Sequence, residues 1–222
     1  MIDRTTFFTR VRPDLFAGRL TQGQVDGLNA ILDEWVHQDL NDVRHLSYML
    51  ATAYHETDKT LQPIKEYGGD KYFFRLYDIE GGRPAVARQL GNLRPGDGVR
   101  FAGRGLVQLT GRMNYARMSA LVSHPRFDID LENDPDAALR LDIAVAVMFE
   151  GMLDAASHFG DFTGLALDDF FSAAKDDPVG ARRIINGLDR AELIAGYHRK
   201  FLSAIEAARR AGSAPVLRRA EG

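Results

Sequence analysis

The apolar pattern of the chain predicts a mainly α-helical fold with a small β-hairpin lobe, an α+β arrangement. Three observations carry the prediction. Val25, Leu28, Ile31, Leu32, Trp35 and Val36 repeat at helical spacing, and so do Val43, Leu46, Met49, Leu50 and Ala53. Residues 137–153 are almost wholly apolar, as in a helix buried on most sides. Tyr72, Phe73, Phe74, Leu76 and Tyr77 are aromatic and β-prone. They follow Pro63 and Gly68-Gly69, which suggests a short hairpin or a mobile lobe.

Composition bounds the function. A chain of 222 residues fits one large domain or two small ones. There is no internal repeat, low-complexity linker or separate binding module, so we read residues 1–211 as a single domain and 212–222 as a frayed tail. An apolar share of 45% supplies a core. The formal charge of -3 argues against a dedicated nucleic-acid binder, whose footprint is basic. The absence of cysteine excludes thiol catalysis, disulfides and cysteine metal sites. No apolar run approaches the roughly 18 residues of a membrane span, so no membrane insertion is expected. Met1-Ile2-Asp3-Arg4-Thr5-Thr6 carries an early acid and no apolar stretch after it, so no secretory signal is expected. The protein is then made and kept in the cytoplasm unless something releases it. A monomer is expected.

In chain order, Thr21 with Gln24 predicts a capping box opening the first helix. Trp35 reads as a core residue in preference to a sugar platform. A second helix begins near Asn41 or Asp42, buries its Val43 to Ala53 stripe with Tyr54 beside it, and ends at Glu56. The C-terminal pole of a helix disfavours a negative charge, and apolar neighbours disfavour it further. A general acid needs that environment. A surface glutamate at a frayed helix end satisfies the same pattern. His55-Glu56 is not a zinc motif, because Lys59 stands where the second histidine is required. No metal or other cofactor is expected.

Pro63 forces the chain to turn before Glu66, and Gly68-Gly69 permits another change of direction after it. A carboxylate on such a lobe could face Glu56 across a cleft. Inverting glycosidases hold their carboxyl groups roughly 6.5–9.5 Å apart. Asp70, Asp78 and Glu80 are lesser candidates and read better as exposed loop charges. Glu80 to Pro84 is a turn, Ala85 to Leu90 a short helix, and residues 91–98 a loop. In Phe101 to Gly111, glycines stand where backbone must come close to something, and Gln108 and Thr110 share one face of a strand-like piece. The lysine and spacing of a phosphate-binding loop are absent. Asp134 or Asp136 is placed to cap a helix over Ala137 to Leu153. Asp168 to Ala174 reads as a short helix stopped by Pro178, and Leu193 to Ile205 as a last amphipathic helix.

Tyr54-His55-Glu56-Thr57, Gly103-Arg104-Gly105-Leu106-Val107-Gln108-Leu109-Thr110, Asn114-Tyr115 and Ile184-Ile185-Asn186-Gly187 together resemble glycoside hydrolase family 19. This is the family of plant-type chitinases and many phage endolysins. The motifs keep the family's order across residues 40–200, and the nearer likeness is to its compact bacterial and phage branch. The resemblance implies a lysozyme-like, mostly helical fold with a small β element beside the cleft. It also implies inverting hydrolysis of a β-1,4 bond next to an N-acetylated sugar.

Under the resemblance Glu56 is the general acid and Glu66 the base that activates water. Thr110 helps to hold that water. Gln108, Asn114 and Asn186 contact sugar. Tyr54, His55, Arg104 and Tyr115 belong to the same motifs and count with the substrate-binding set, Arg104 with a structural or carboxylate-orienting role. Met113 replaces an aromatic residue usual in chitinases, and Gly187-Leu188 replaces a double glycine. Between Lys65 and Arg117 lie ten basic residues against five acidic ones. A basic rim steers the carboxylate-bearing peptidoglycan strand, and chitin has no such charge. The expected partner is therefore the peptidoglycan glycan strand, cut in muramidase fashion by an endolysin of phage or prophage origin. A holin would release it to the wall. A chitinase on the same scaffold and a catalytically dead glycan-binding protein are the alternatives.

Overall fold

A computed structural model describes residues 1–122, 127–153 and 162–213. Its helices are α1 (Arg4–Phe16), α2 (Gln22–His37), α3 (Val43–Glu56), α4 (Asp70–Tyr77), α5 (Pro84–Gln89), α6 (Asp97–Arg100), α7 (Arg112–Val122), α8 (Leu141–Met152), α9 (Arg183–Asn186) and α10 (Ala191–Ser213). The strands are β1 (Ile64–Lys65), β2 (Arg104–Gly105), β3 (Phe171–Ser172) and β4 (Lys175–Asp176). The predicted fold class holds in its coarse form: the chain is mainly helical with two small two-stranded sheets.

Helix α3 is the axis of the body. Asp42 caps it by accepting from the Arg44 backbone N–H at 2.9 Å. Every residue from Leu46 to Tyr54 is buried, because α10, α2 and α8 pack around it. Thr57 closes it: its hydroxyl donates to the Ala53 carbonyl at 2.7 Å and accepts from Leu61 N–H at 2.9 Å. Asp58, Lys59 and Leu61 then take left-handed backbone, and the chain leaves the helix axis at once. The capping box of Thr21 and Gln24 forms as expected, and Trp35 is buried. Val36, counted in the same stripe, is instead 63% exposed. Helix α1, which packs on α10, was not among the predicted elements.

The β element is not where aromatic composition suggested. Residues 70–77 form helix α4, in which Phe73 and Tyr77 stack one turn apart, ring centroids 6.5 Å apart. Their spacing overrides β propensity, which mainly reports how a side chain fits its surroundings. Strand β1 instead pairs antiparallel with the distant β2, Ile64 opposite Gly105 and Lys65 opposite Arg104. Helices α4, α5 and α6 make a helical lobe beside this pair, with Phe73 buried outside the main apolar cluster. Asp78, read as an exposed charge, is fully buried: it accepts from the backbone N–H of Gly96 at 2.8 Å and of Gly98 at 3.0 Å, and so ties the lobe together.

Further corrections concern the second half of the chain. The apolar helix begins at Leu141, after a 3-10 turn over Pro135–Leu139 and an extended Arg140. Neither Asp134 nor Asp136 caps it. The helix expected near Phe170 is a 3-10 turn followed by the β3–β4 hairpin, with Phe171 opposite Asp176. Arg44 holds that hairpin by donating to the carbonyls of Ser172 at 3.1 Å and Lys175 at 3.2 Å. Helix α10 runs through Ser213, past the expected start of the tail, and residues 214–222 lie outside the described residues. Among the described residues no helix is long and apolar enough to cross a membrane.

Candidate active site

The end of α3, the β1–β2 pair and the start of α7 meet at a cleft of about 600 Å³. Glu56, Glu66, Gln108, Thr110, Asn114 and Asn186 all line it. Tyr67, Tyr72 and Tyr77 come from the lobe, and Phe162, Thr163 and Ile185 from the second half of the chain.

Glu66 follows β1 directly, and the pairing with β2 fixes it. Its backbone N–H donates to the Gly103 carbonyl at 2.8 Å, and its Oε2 accepts from Gly103 N–H at 3.1 Å. Its Oε1 accepts from the Tyr77 hydroxyl at 2.9 Å. Both oxygens are therefore held by donors, an arrangement that suits an anionic base. Burial and the neighbouring Glu66 charge push the Tyr77 phenol well above its ordinary range, so it stays a donor.

Glu56 is held differently. The apolar wall expected around it is interrupted by Arg182, a buried guanidinium that donates to Glu56 Oε1 and, through Nε, to the Asp189 carbonyl at 2.9 Å. Oε2 has no protein partner among the described residues and is the oxygen open to a substrate. His55 stands behind this pair. Burial lowers its pKa and so favours the neutral ring, against the opposing pull of Glu56.

Gly103 lies at the centre of the polar group. A Cβ placed there would come 2.8 Å from Gln108 Oε1, 3.0 Å from Glu66 Oε2 and 3.2 Å from Thr110 Oγ1. Those oxygens converge on one point because the residue between them has no side chain. Gln108 sits in left-handed backbone at φ 56°, and its Nε2 donates to the Ile64 carbonyl at 3.2 Å. Thr110 donates to the Gln108 carbonyl at 2.8 Å. Asn114 donates to the Thr110 carbonyl at 3.0 Å, which leaves its Oδ1 without a hydrogen-bond partner among the described residues.

Several motif residues do not reach the cleft. Tyr54 points the other way: it is buried among Phe16, Tyr197 and Phe201, and its hydroxyl donates to the Leu15 carbonyl. Helical geometry turns it off the Glu56 face. Tyr115 is fully buried and donates to the Ala102 carbonyl at 3.0 Å. Arg104 is buried, with Nε donating to Asp136 at 2.7 Å and Nη1 to Ala102 at 2.8 Å, so it braces the β2 turn and orients neither glutamate. His55 is not among the described lining residues. Tyr54 and Tyr115 are thereby corrected from substrate contacts to supports, and Arg104 takes the structural one of its two expected roles.

Arg182 and Tyr77 were not singled out from the sequence. Neither stands at a spacing that marks it, since each partner lies in a separate element. No protein-family model matches the chain, and no curated protein matches it.

Proposed function

We propose that the chain is a lysozyme-like glycoside hydrolase of the muramidase type, cutting the β-1,4 bond between N-acetylmuramic acid and N-acetylglucosamine in peptidoglycan. The observation that carries this is the joint presence of Glu56 and Glu66 in one cleft with Gln108, Thr110, Asn114 and Asn186. The carboxylates come from separate elements and are held by different partners, a guanidinium for Glu56 and neutral donors for Glu66.

In this reading Glu56 Oε2 delivers a proton to the departing glycosidic oxygen while Arg182 fixes the carboxyl through Oε1. Glu66 takes a proton from water, and Thr110 with Gln108 positions that water near Gly103. The attack occurs on the face opposite the leaving group and inverts the anomeric carbon. Peptidoglycan is favoured over chitin by charge. Lys65, Lys71, Arg75, Arg83 and Arg88 are exposed on or beside β1, α4 and α5, the elements next to the cleft. Arg104 and Arg112 do not add to this rim, because Asp136 and Asp97 hold them. An endolysin of this kind acts at the wall after release from the cytoplasm, for instance through a holin.

The test is product analysis by mass spectrometry. Wild type and Glu56→Gln are each incubated with purified peptidoglycan and with colloidal chitin. Muropeptides ending in reducing N-acetylmuramic acid are expected from wild type, with turnover by the folded mutant lower by about 10²–10⁴-fold. The amide oxygen can still accept from Arg182, so the fold should hold. Unchanged turnover by the mutant would sink the mechanism. Chitin oligomers alone would transfer the protein to the chitinase reading. No product from either polymer would leave a glycan-binding protein. The first reducing ends formed should be α anomers by NMR, and β anomers would exclude inversion.

A further inference from the structure

The chain has seven tyrosines, and the two exposed ones, Tyr67 at 76% and Tyr72 at 41%, both line the cleft. The other five are buried or half-buried, each with a ring or hydrogen-bond partner: Tyr48 packs on Phe171, Tyr54 on Tyr197, Tyr115 on Phe101, and Tyr77 donates to Glu66. A large aromatic surface left in water beside a cleft is the informative kind of exposure.

Tyr67 is placed by its neighbours in the chain. It directly follows Glu66, whose backbone N–H is bonded to the Gly103 carbonyl, and successive Cα atoms are about 3.8 Å apart. Gly68 comes next. A Cβ there would meet Tyr72 Cδ1 at 2.6 Å and Phe73 Cε1 at 3.0 Å, so the rings at the start of α4 close against this backbone. Tyr72 is held by Arg75, whose guanidinium carbon lies 5.9 Å from the ring centroid, and by Phe73, edge-on at 5.6 Å. The Tyr67 side chain has no hydrogen-bond or ring partner among the described residues. Its ring is therefore free to meet what enters the cleft.

We propose that the Tyr67 ring is a stacking platform for one pyranose ring of a β-1,4-linked N-acetylhexosamine strand, with Tyr72 as its flank. The inference rests on the reading of the cleft as a glycan site. Such sugars carry their ring substituents equatorially, so each face presents axial C–H bonds. The negative face of an aromatic ring attracts them. A tyrosine supplies this surface with few side-chain torsions to fix. Because Tyr67 adjoins Glu66, the stacked sugar lies close to the bond that is cut. The contact reads the shape of the sugar ring, whereas the basic rim reads charge.

The test is calorimetric titration in the Glu56→Gln background, which leaves the strand uncut. The probes are the N-acetylglucosamine tetramer, peptidoglycan strands stripped of peptide by an amidase, and soluble strands that keep their peptides. The background protein is expected to bind the tetramer or the stripped strands. Adding Tyr67→Ala should weaken that binding by roughly 3- to 10-fold, the scale of one aromatic contact. Tyr67→Phe should stay within about twofold, because the ring remains. Unweakened binding by Tyr67→Ala overturns the platform and leaves the cleft a glycan site. Equal losses in Tyr67→Phe and Tyr67→Ala make the hydroxyl the contact and overturn it too. Binding only of strands that keep their peptides, lost in Tyr67→Ala, assigns Tyr67 to the peptide and not the sugar. No binding of any strand by the background protein removes the glycan reading, and the platform with it.

Discussion

Gly103 carries more of the candidate site than any charged residue except the two glutamates. Its role is to be empty space around which Gln108, Glu66 and Thr110 gather. It is not in left-handed backbone, so Gly103→Ala tests crowding alone. We expect the fold to survive, because the atoms that must move are ends of side chains. Turnover should fall by roughly 10²-fold, the scale of a misplaced reacting group. Near-normal turnover in a folded Gly103→Ala protein would show that those oxygens do not act together. Tyr77→Phe removes a single donor from Glu66 and leaves Gly103 N–H in place. A drop of about tenfold in kcat with little change in KM is expected. A change in KM alone would mean that Tyr77 binds sugar and does not position the carboxylate.

At the scale of elements, the path between α3 and β1 decides where Glu66 arrives. That path is pinned against α2 at Gly27, where an added Cβ would meet the Leu61 carbonyl oxygen at 2.0 Å and the Leu61 Cβ at 2.9 Å. The obstacle is backbone and cannot swing away. Gly27→Ala should therefore cost about 1–3 kcal/mol. For a chain of this size each kcal/mol lowers Tm by roughly 2–4 °C. A scanning calorimetry trace unchanged from wild type would show that α2 is free to shift. The same pair of elements explains why a strand of only two residues suffices at β1. Its register is set from both ends, by the Thr57–Leu61 bond on one side and by Glu66 with Gly103 on the other.

The whole molecule is held by a core in which α10 lies along α3, and that interface contains a histidine. His198 is 1% exposed, within bonding distance of Ser47 Oγ at 2.9 Å and packed on Phe171 and Tyr48. Burial drives its pKa from 6.5 down to about 4. The unfolded chain then takes up a proton before the folded one as pH falls. The contribution of this residue is complete above pH 6.5 and is lost progressively between 6.5 and about 4. It amounts to roughly 3 kcal/mol. His55, also lowered by burial, acts with the same sign. Asp42, held low by the Arg44 side chain, adds its own loss only below its ordinary value of 3.8. Urea midpoints measured at pH 7.5, 5.5 and 4.5 should therefore decline in that order. A flat series would show that the His198 ring finds a way to charge inside the fold.

Local chemistry was readable in the chain. The Thr21–Gln24 box, the start of α3 near Asn41 or Asp42, its stripe ending at Glu56 and the turn imposed near Pro63 each depend on residues within a few positions of one another. Five of the six polar residues that share the cleft stood in recognisable motifs, and Glu66 was reached through the turn imposed by Pro63, so their grouping could be anticipated. What escaped the sequence depends on partners far along the chain. Aromatic composition suggested a short hairpin or a mobile lobe over Tyr72 to Tyr77, but packing made residues 70–77 a helix, and β1 found its partner near residue 104. Tyr54 and Tyr115 sit in the same motifs as the cleft residues, yet a turn of helix and a buried arginine send them inward. Arg182 and Tyr77 carry no local mark, because a single ion pair or hydrogen bond across elements leaves no periodicity behind. Periodicity and caps are properties of neighbours in sequence, whereas the choice of which face is buried, and which donor meets which glutamate, is made when the helices pack.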